Sequence, residues 1–208
     1  MSRASEFDFD SSKTIAPEVM RSIIATTQTA PSSFNFQPYK IILVSSRDLK
    51  EVLARTACFG YQNTSKVANC SVLAVFLGDK IPSDLTNKVV ALEAAGGADP
   101  GYVTSLPQKT AFLGSSTSAG AEAWSEKNTA FAAQNYMLAA TALGLSTCCM
   151  EGFDARRVIS LLEIPERRYS VPFIIATGFP MQGARTARKK VRFPLEEVVY
   201  ADSFGRRY

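Results

Sequence analysis

The stretch Phe131–Asp154, FAAQNYMLAATALGLSTCCMEGFD, decides how the rest of the chain is read. Trp124, Phe131 and Leu138 recur at sevens, with Ala130, Met137, Ala139 and Ala142 beside them. That spacing predicts one long helix over 121–143. Its second half is apolar on nearly every side, so it belongs in the centre of a domain or at a subunit interface. Gly144 is the expected stop, because helices commonly end on a residue in the left-handed conformation. Leu145–Met150 then reads as a short extended segment. Asp154 reads as the cap of a further helix through Leu162, halted by Pro165.

On the N-terminal side, residues 17–30 form a predicted helix opened by Pro17 and Glu18, with Val19, Met20, Ile23 and Ile24 at helical spacing. It stops before Pro31. The polar turn PSSFNFQP leads into a strand at Tyr39–Val44, and Ser46 caps a helix through Thr56. Residues 70–78, CSVLAVFLG, are a continuous apolar run of strand length, as expected for a strand covered on both faces. Residues 84–95 read as helix. Gly96–Gly120, rich in Gly, Ser and Thr, reads as a loop of the kind that forms a lid or faces a substrate. Pro172–Gly178 is a second buried strand. With no internal repeat and no linker, residues 1–208 make a single domain, an α/β or α+β sheet with helical cover.

Composition removes whole classes of chemistry. The 208 residues contain no histidine, which eliminates Ser-His-Asp and Cys-His nucleophiles, histidine zinc sites and imidazole acid–base catalysis. No metal site is expected. Cys58, Cys70, Cys148 and Cys149 lack C-x-x-C spacing and read as small buried residues in a reducing compartment. Neither G-x-G-x-x-G nor a P-loop occurs. Any chemistry has to come from carboxylates, Lys, Tyr, Cys, the backbone or a bound cofactor, with the cofactor the first expectation. No apolar run reaches the roughly 18 residues of a membrane span, and the N-terminus lacks a secretory core. A cytoplasmic location is expected, with a removed organellar leader left open. The sequons at Asn63 and Asn69 read as coincidence.

Net charge is +4, and five of the eight residues from Arg185 to Arg192 are basic. That cluster suits a phosphate-bearing ligand, a nucleic acid or a solvated tail.

Four polar segments can hold a phosphorylated cofactor by scattered side chains: Arg3-Ala4-Ser5, Pro31 through Tyr39, Glu151-Gly152-Phe153-Asp154 and Lys190-Val191-Arg192. Each alone has an ordinary explanation. In this order, over nearly the whole chain, they resemble the nitroreductase family of FMN enzymes. The resemblance implies an α+β nitroreductase-like fold with a central, mostly antiparallel sheet flanked by helices, and an intertwined homodimer. It implies FMN as cofactor, with NADH or NADPH as electron donor. Arg3 and Ser5, with Ala4 between them, match the pair that binds the FMN phosphate and ribityl end, and Lys190 and Arg192 match the second phosphate-binding pair. Pro31, Ser32, Ser33 and Asn35 match the turn that borders the flavin from the partner subunit. Asn63 and Lys66 fall near the flavin pyrimidine edge, and Met150, Glu151 and Gly152 near N5.

The chain also departs from that pattern. The family commonly has Arg or Lys two residues after the serine, where this chain has Phe7. A lost charge-assisted contact of about 1.5–3 kcal/mol weakens FMN binding by roughly 10- to 100-fold unless Arg188 or Lys189 compensates. Phe34 and Phe36 replace residues that are usually small, and Tyr39 stands for the usual Trp; the two phenylalanines either narrow the substrate slot or fill the dimer core. Phe34, Phe36, Phe112 and Trp124 are candidates for the substrate region. The resemblance implies a two-step cycle, in which NAD(P)H reduces the flavin and departs, and an acceptor such as a nitroaromatic or quinone is then reduced in the same slot. Side-chain acid–base groups are not required. Dehalogenation, desaturation or flavin fragmentation on the same fold, a non-turnover flavin-binding regulator, and a nucleic-acid-binding protein are the alternatives; nucleic acid and membrane partners are not expected.

Overall fold

The computed structural model describes residues 3–110, 120–183 and 191–208. In chain order the elements are α1 (Pro17–Gln28), β1 (Tyr39–Val44), α2 (Arg47–Ala57), α3 (Gly60–Asn69), β2 (Val72–Asp79), α4 (Thr86–Ala95), α5 (Pro100–Thr110), α6 (Gly120–Ala142), β3 (Ser146–Met150), α7 (Ala155–Leu161), β4 (Tyr169–Gly178) and α8 (Leu195–Val198). The strands form one sheet in the order β1-β2-β4-β3, antiparallel at every junction. This is an α+β architecture with helices on both faces of the sheet.

Strand alternation sorts the core into two layers. Leu73, Val75 and Leu77 of β2 pack with α2, α3 and α7 through Leu53, Val67 and Val158. Val72, Ala74 and Phe76 point the other way, onto Met20 and Ile23 of α1 and Ala133, Tyr136 and Ala140 of α6. Every residue of β2 is therefore buried, as its unbroken apolar run predicts. β4 keeps the same alternation until Val171-Pro172, where the register with β2 slips between Phe76 and Gly78. The extra residue is a bulge, which is where a proline is tolerated inside a sheet and which returns Val171 to the same layer as Ile174 and Ala176.

The predicted helix ends are present. The Ser46 Oγ accepts from Leu49 N at 3.3 Å, the Asp154 Oδ1 accepts from Arg157 N at 3.1 Å, and Gly144 closes α6 with φ 77°. Two readings need correction. Gly96–Gly120 is not a continuous loop, because Pro100–Thr110 is helical. Asp99 Oδ1 accepts from Tyr102 N at 2.9 Å and Pro100 occupies the first turn, an ordinary start that the small-residue composition around it concealed. Residues 111–119, including Phe112, lie outside the described residues. The second correction is Cys149, which is exposed rather than buried: it sits on an edge strand with its side chain opposite that of Cys148.

A third, smaller core lies under α4 and α5, where Phe36, Leu85, Val89 and Leu106 enclose Trp124. This excursion covers only the beginning of the α6 stripe. Farther along the same helix, Phe131 is 52% and Leu138 37% exposed. Among the described residues, no helix is long and apolar enough to cross a membrane.

The far end of β2 is tied down by a buried carboxylate. Asp79 accepts from Arg168 Nη2 at 2.8 Å and from Ile81 N at 2.9 Å, and the other Arg168 nitrogen reaches Asp84. Removing the guanidinium leaves Asp79 buried and unpaired. Arg168→Ala is expected to cost about 3 kcal/mol in urea denaturation, and Arg168→Lys to recover only part of that, because an ammonium cannot bridge both carboxylates.

Candidate functional site

Chemistry-bearing residues gather at two corners of the sheet. The first is built where the N-terminal segment crosses the ends of β3 and β4. Ser5 forms a parallel bridge with Thr147, Phe9 an antiparallel one with Pro180, and Glu6 N donates to Thr147 O at 3.0 Å. Phe9, 1% exposed, anchors the segment in the core. Gly178 makes room for it: a Cβ there would meet the Phe9 ring at 3.1 Å and Ser71 N at 3.0 Å. The two aromatics Phe7 and Phe9 in a polar terminus were the available sign of an anchor, although which of them is buried, and where on β4, was not readable.

This strap delivers Arg3 and Ser5 to α3 and the end of β3. Lys66, on α3, is 5% exposed, its Nζ 3.3 Å from Asn63 Oδ1 and 4.5 Å from the centre of the Phe7 ring. Asn63 Nδ2 in turn donates to Gly152 O at 3.1 Å. α3 was not predicted, since Val67 is its only buried apolar residue and no amphipathic period announces it. The Cys148 thiol lies among these groups. Burial pushes its pKa up, the positive charges of Lys66 and Arg3 partly offset the rise, and Glu6 adds to it. A protonated thiol is not a nucleophile, which agrees with the absence of any C-x-x-C pair.

Neither Arg3 nor Lys66 forms a salt bridge with a described residue. Two cations with no salt bridge among the described residues, one of them buried, lie on the same side of the sheet end as exposed Ser5, an arrangement chemically suited to an anionic group. Met150 is buried, Glu151 exposed and Gly152 half-buried at the same corner. A Cβ on Gly152 would stand 2.7 Å from Asn63 Nδ2, so any side chain there displaces the Asn63 amide from its bond to the Gly152 carbonyl.

The second corner is the turn before β1. Phe34, Asn35 and Gln37 have φ values of 51°, 57° and 44°. For residues other than glycine each left-handed conformation costs about 1–3 kcal/mol and persists only where the surroundings impose it. The restraints are explicit. Asn128, 3% exposed on α6, accepts from Ser33 N at 3.0 Å, Ser32 Oγ accepts from Gln37 N at 2.9 Å, and Asn35 Nδ2 donates to Glu93 on α4 at 2.8 Å. Pro31, Ser33 and Asn35 are exposed, and Ser32 and Phe34 half-buried. Phe36 and Trp124 are 3% and 4% exposed and meet edge-to-face with centroids 6.1 Å apart. They support the turn from beneath, and within one protomer only Phe34 of the three aromatics has an open face.

The corners do not meet. Thr147 pairs with Thr177, which pairs with Val72, whereas Tyr39 pairs with Gly78. Six residues along β2 are about 20 Å, and three strand spacings across the sheet about 14 Å. Arg192 is exposed and donates to its own neighbour, Val191 O, at 2.7 Å. Lys190, Arg188 and Lys189 lie outside the described residues.

A sequence model of the Nitroreductase family matches residues 1–179. An oxygen-insensitive NAD(P)H nitroreductase of Salmonella typhimurium is 27% identical over 207 residues, which cover 96% of this chain and 95% of that protein. A protein of Exiguobacterium sibiricum crystallised in complex with FMN superposes with a TM-score of 0.82 at 22% identity, covering 95% of this chain and 92% of its own. CLA-ER, an enone reductase of gut-bacterial fatty acid saturation, superposes with a TM-score of 0.81 at 20% identity, covering 97% and 94%.

The Gly152–Asn63 contact is testable by a double-mutant cycle. Gly152→Ala alone is expected to destabilise the fold by about 1–3 kcal/mol, and Asn63→Ala to relieve most of that penalty in the double variant, a coupling read from urea midpoints.

Proposed function

The chain belongs to the Nitroreductase family, and from that premise we propose that it is an FMN-dependent NAD(P)H oxidoreductase working as a homodimer, with nitroaromatics, quinones or related planar acceptors as substrates. The observation that carries this reading is the pair of cations, Arg3 and buried Lys66, that form no salt bridge among the described residues, beside a glycine whose carbonyl the Asn63 amide holds. The named relatives support the donor and the cofactor: one is an NAD(P)H nitroreductase and another holds FMN.

An FMN phosphate carries roughly −1.5 to −2 charge at pH 7. Arg3 and Ser5 would hold it, with Lys190 and Arg192 from the basic tail adding charge, and Ala4 allowing the strap to approach. Bound FMN supplies the redox chemistry, taking two electrons from NAD(P)H and passing them to the acceptor. Lys66 would contribute a buried positive charge to the bound group, favouring its anionic reduced form. Asn63 fixes the Lys66 ammonium and the Gly152 carbonyl together, so that the Met150–Gly152 backbone is set beside the reacting edge.

The opposite wall comes from a second copy. Thr147, which the strap bridges, and Tyr39, which follows the Pro31–Asn35 turn, are about 20 Å apart along the sheet and about 14 Å across it, so the turn would serve the partner's site. Three groups of exposed apolar residues support that arrangement: Phe131 and Leu138 on α6; Val191, Phe193 and Leu195 around the start of α8; and Val198 and Phe204 beyond it. CLA-ER shows that the same fold serves an enone reductase, so an activated alkene stands beside nitroaromatics and quinones among the acceptors to be tried.

The primary test is anaerobic mixing of the yellow protein with NADH or NADPH, where bleaching of the flavin band and its return on adding a quinone or nitroarene are expected. An unbleached flavin overturns the proposal. Arg3→Ala is expected to raise the FMN dissociation constant by about 10- to 100-fold in fluorescence titration, the loss of one charge-assisted contact. Phe131→Glu combined with Leu138→Glu is expected to yield monomers in sedimentation and to lose FMN at the same time, since each monomer keeps only half of a site.

A further inference from the structure

We propose that Phe7 is a positioning residue, whose ring caps the Lys66 ammonium and keeps it dehydrated and fixed for the flavin. The inference rests on the flavin reading above. It starts from a substitution in the family pattern that the sequence leaves unexplained, an aromatic ring where a basic side chain is common.

The geometry gives the ring a definite task. The Lys66 ammonium has three protons to place and, among the described residues, no carboxylate to receive them. One proton points to Asn63 Oδ1 at 3.3 Å and another toward the Cys148 thiol, which leaves the third to the ring. The Phe7 ring centre lies 4.5 Å from Nζ, inside the roughly 6 Å range over which a ring face attracts a cation. Lys66 is only 5% exposed, whereas Phe7 is 42% exposed, so the ring forms the outer lid over the lysine rather than part of the core. An Arg or Lys at position 7 would set a second positive charge against Lys66 and leave the ammonium hydrated. Phenylalanine gives up one phosphate contact and secures a shielded lysine.

The ring is also held in place. Glu6, 1% exposed, folds its carboxylate back so that Oε1 accepts from Phe7 N at 2.8 Å and from Asp8 N at 3.2 Å. Glu6 N is itself tied to Thr147 O at 3.0 Å. The backbone on both sides of Phe7 is therefore pinned, and the side chain is aimed by the strap rather than by contacts of its own. From the ring, the linkage passes through Lys66 and Asn63 to the Gly152 carbonyl. Phe7 thus acts on the pyrimidine-facing lysine and, through it, on the glycine turn.

A fixed, poorly hydrated cation discriminates between neutral and anionic flavin more strongly than a solvated one. Uncapping it should therefore weaken binding of reduced FMN more than of oxidised FMN.

The test compares the wild-type chain with Phe7→Ala, Phe7→Leu and Phe7→Trp in two measurements. In the first, full-length protein freed of FMN is acetylated for timed intervals and Lys66 labelling is read by peptide mass spectrometry, with buried Lys50 and exposed Lys13 as internal references. Lys66 should react as slowly as Lys50 in the wild type and the Trp variant, and severalfold faster in the Ala and Leu variants. In the second, the FMN-loaded proteins are titrated spectroelectrochemically. The preference for reduced FMN should fall about 3- to 10-fold in the Ala variant, lowering the two-electron midpoint potential by about 14–30 mV, with Trp restoring it. FMN retained with unchanged potentials and unchanged Lys66 labelling in the Ala and Leu variants overturns the inference and leaves the flavin reading standing. A wild-type protein that takes up no FMN overturns that reading and the role of Phe7 built on it, even where labelling shows the ring over the lysine.

Discussion

β2 runs for eight residues with every side chain buried, and its two ends lead to the two halves of the candidate site. Its Val72 end lies in register with the strap, Arg3 and Lys66, and its Gly78 end with the strained turn before β1. A strand buried on both faces cannot bend sharply without opening one of its two cores, so the distance between the corners is a fixed property of the fold. Everything proposed about assembly follows from that separation. On the proposed reading, a ligand about the size of a flavin would be touched by only one corner of a given chain, and its other wall would come from a second copy. α6 runs beside the same strand and leaves Phe131 and Leu138 uncovered, so the surface that would bring another copy is part of the element that stiffens the sheet.

The two corners store energy in different forms. At the strap it is electrostatic, a buried ammonium with no salt-bridge partner among the described residues, tolerable because Asn63, the Cys148 thiol and the Phe7 ring each share its charge. At the turn it is conformational, three residues in the left-handed region held there by Asn128, Ser32 and Glu93. Neither is explained by the packing of the protomer alone. Both are what a binding surface needs, since a site organised in advance spends less of the ligand's interaction energy on ordering itself.

How legible this was depended on whether a residue's role was local. Ser46, Asp154 and Gly144 work within a single turn of chain, and the structure places each where the sequence predicts. β2 was legible because an eight-residue apolar run has few alternatives. α3 was not, because its exposed face is polar and its buried one rests on a single valine and a lysine stem. α5 was hidden by glycine and serine around an otherwise ordinary Asp-Pro start. Within the site, Arg3, Asn63, Lys66 and Gly152 were named from a family resemblance, and the structure brings them to one corner. The Phe9 anchor, the Glu6 clamp and the cover of Phe7 over Lys66 join residues far apart in the chain, or depend on which way a side chain turns. No spacing rule encodes either. The exposure of Cys149 beside buried Cys148 is of the same kind, a matter of edge-strand geometry.

The bridge between Ser5 and Thr147 joins positions about 140 residues apart, and the Phe9–Pro180 bridge joins positions still farther apart. The strap leaves the ribosome well before β3 and β4, and its docking surface is not finished until β4 has been synthesised and paired. Loop closure over that span is entropically the most expensive step in the sheet. The strap is therefore translated before the strands it joins and placed only after them, so the charge proposed to receive the ligand is assembled once the rest of the sheet has been completed.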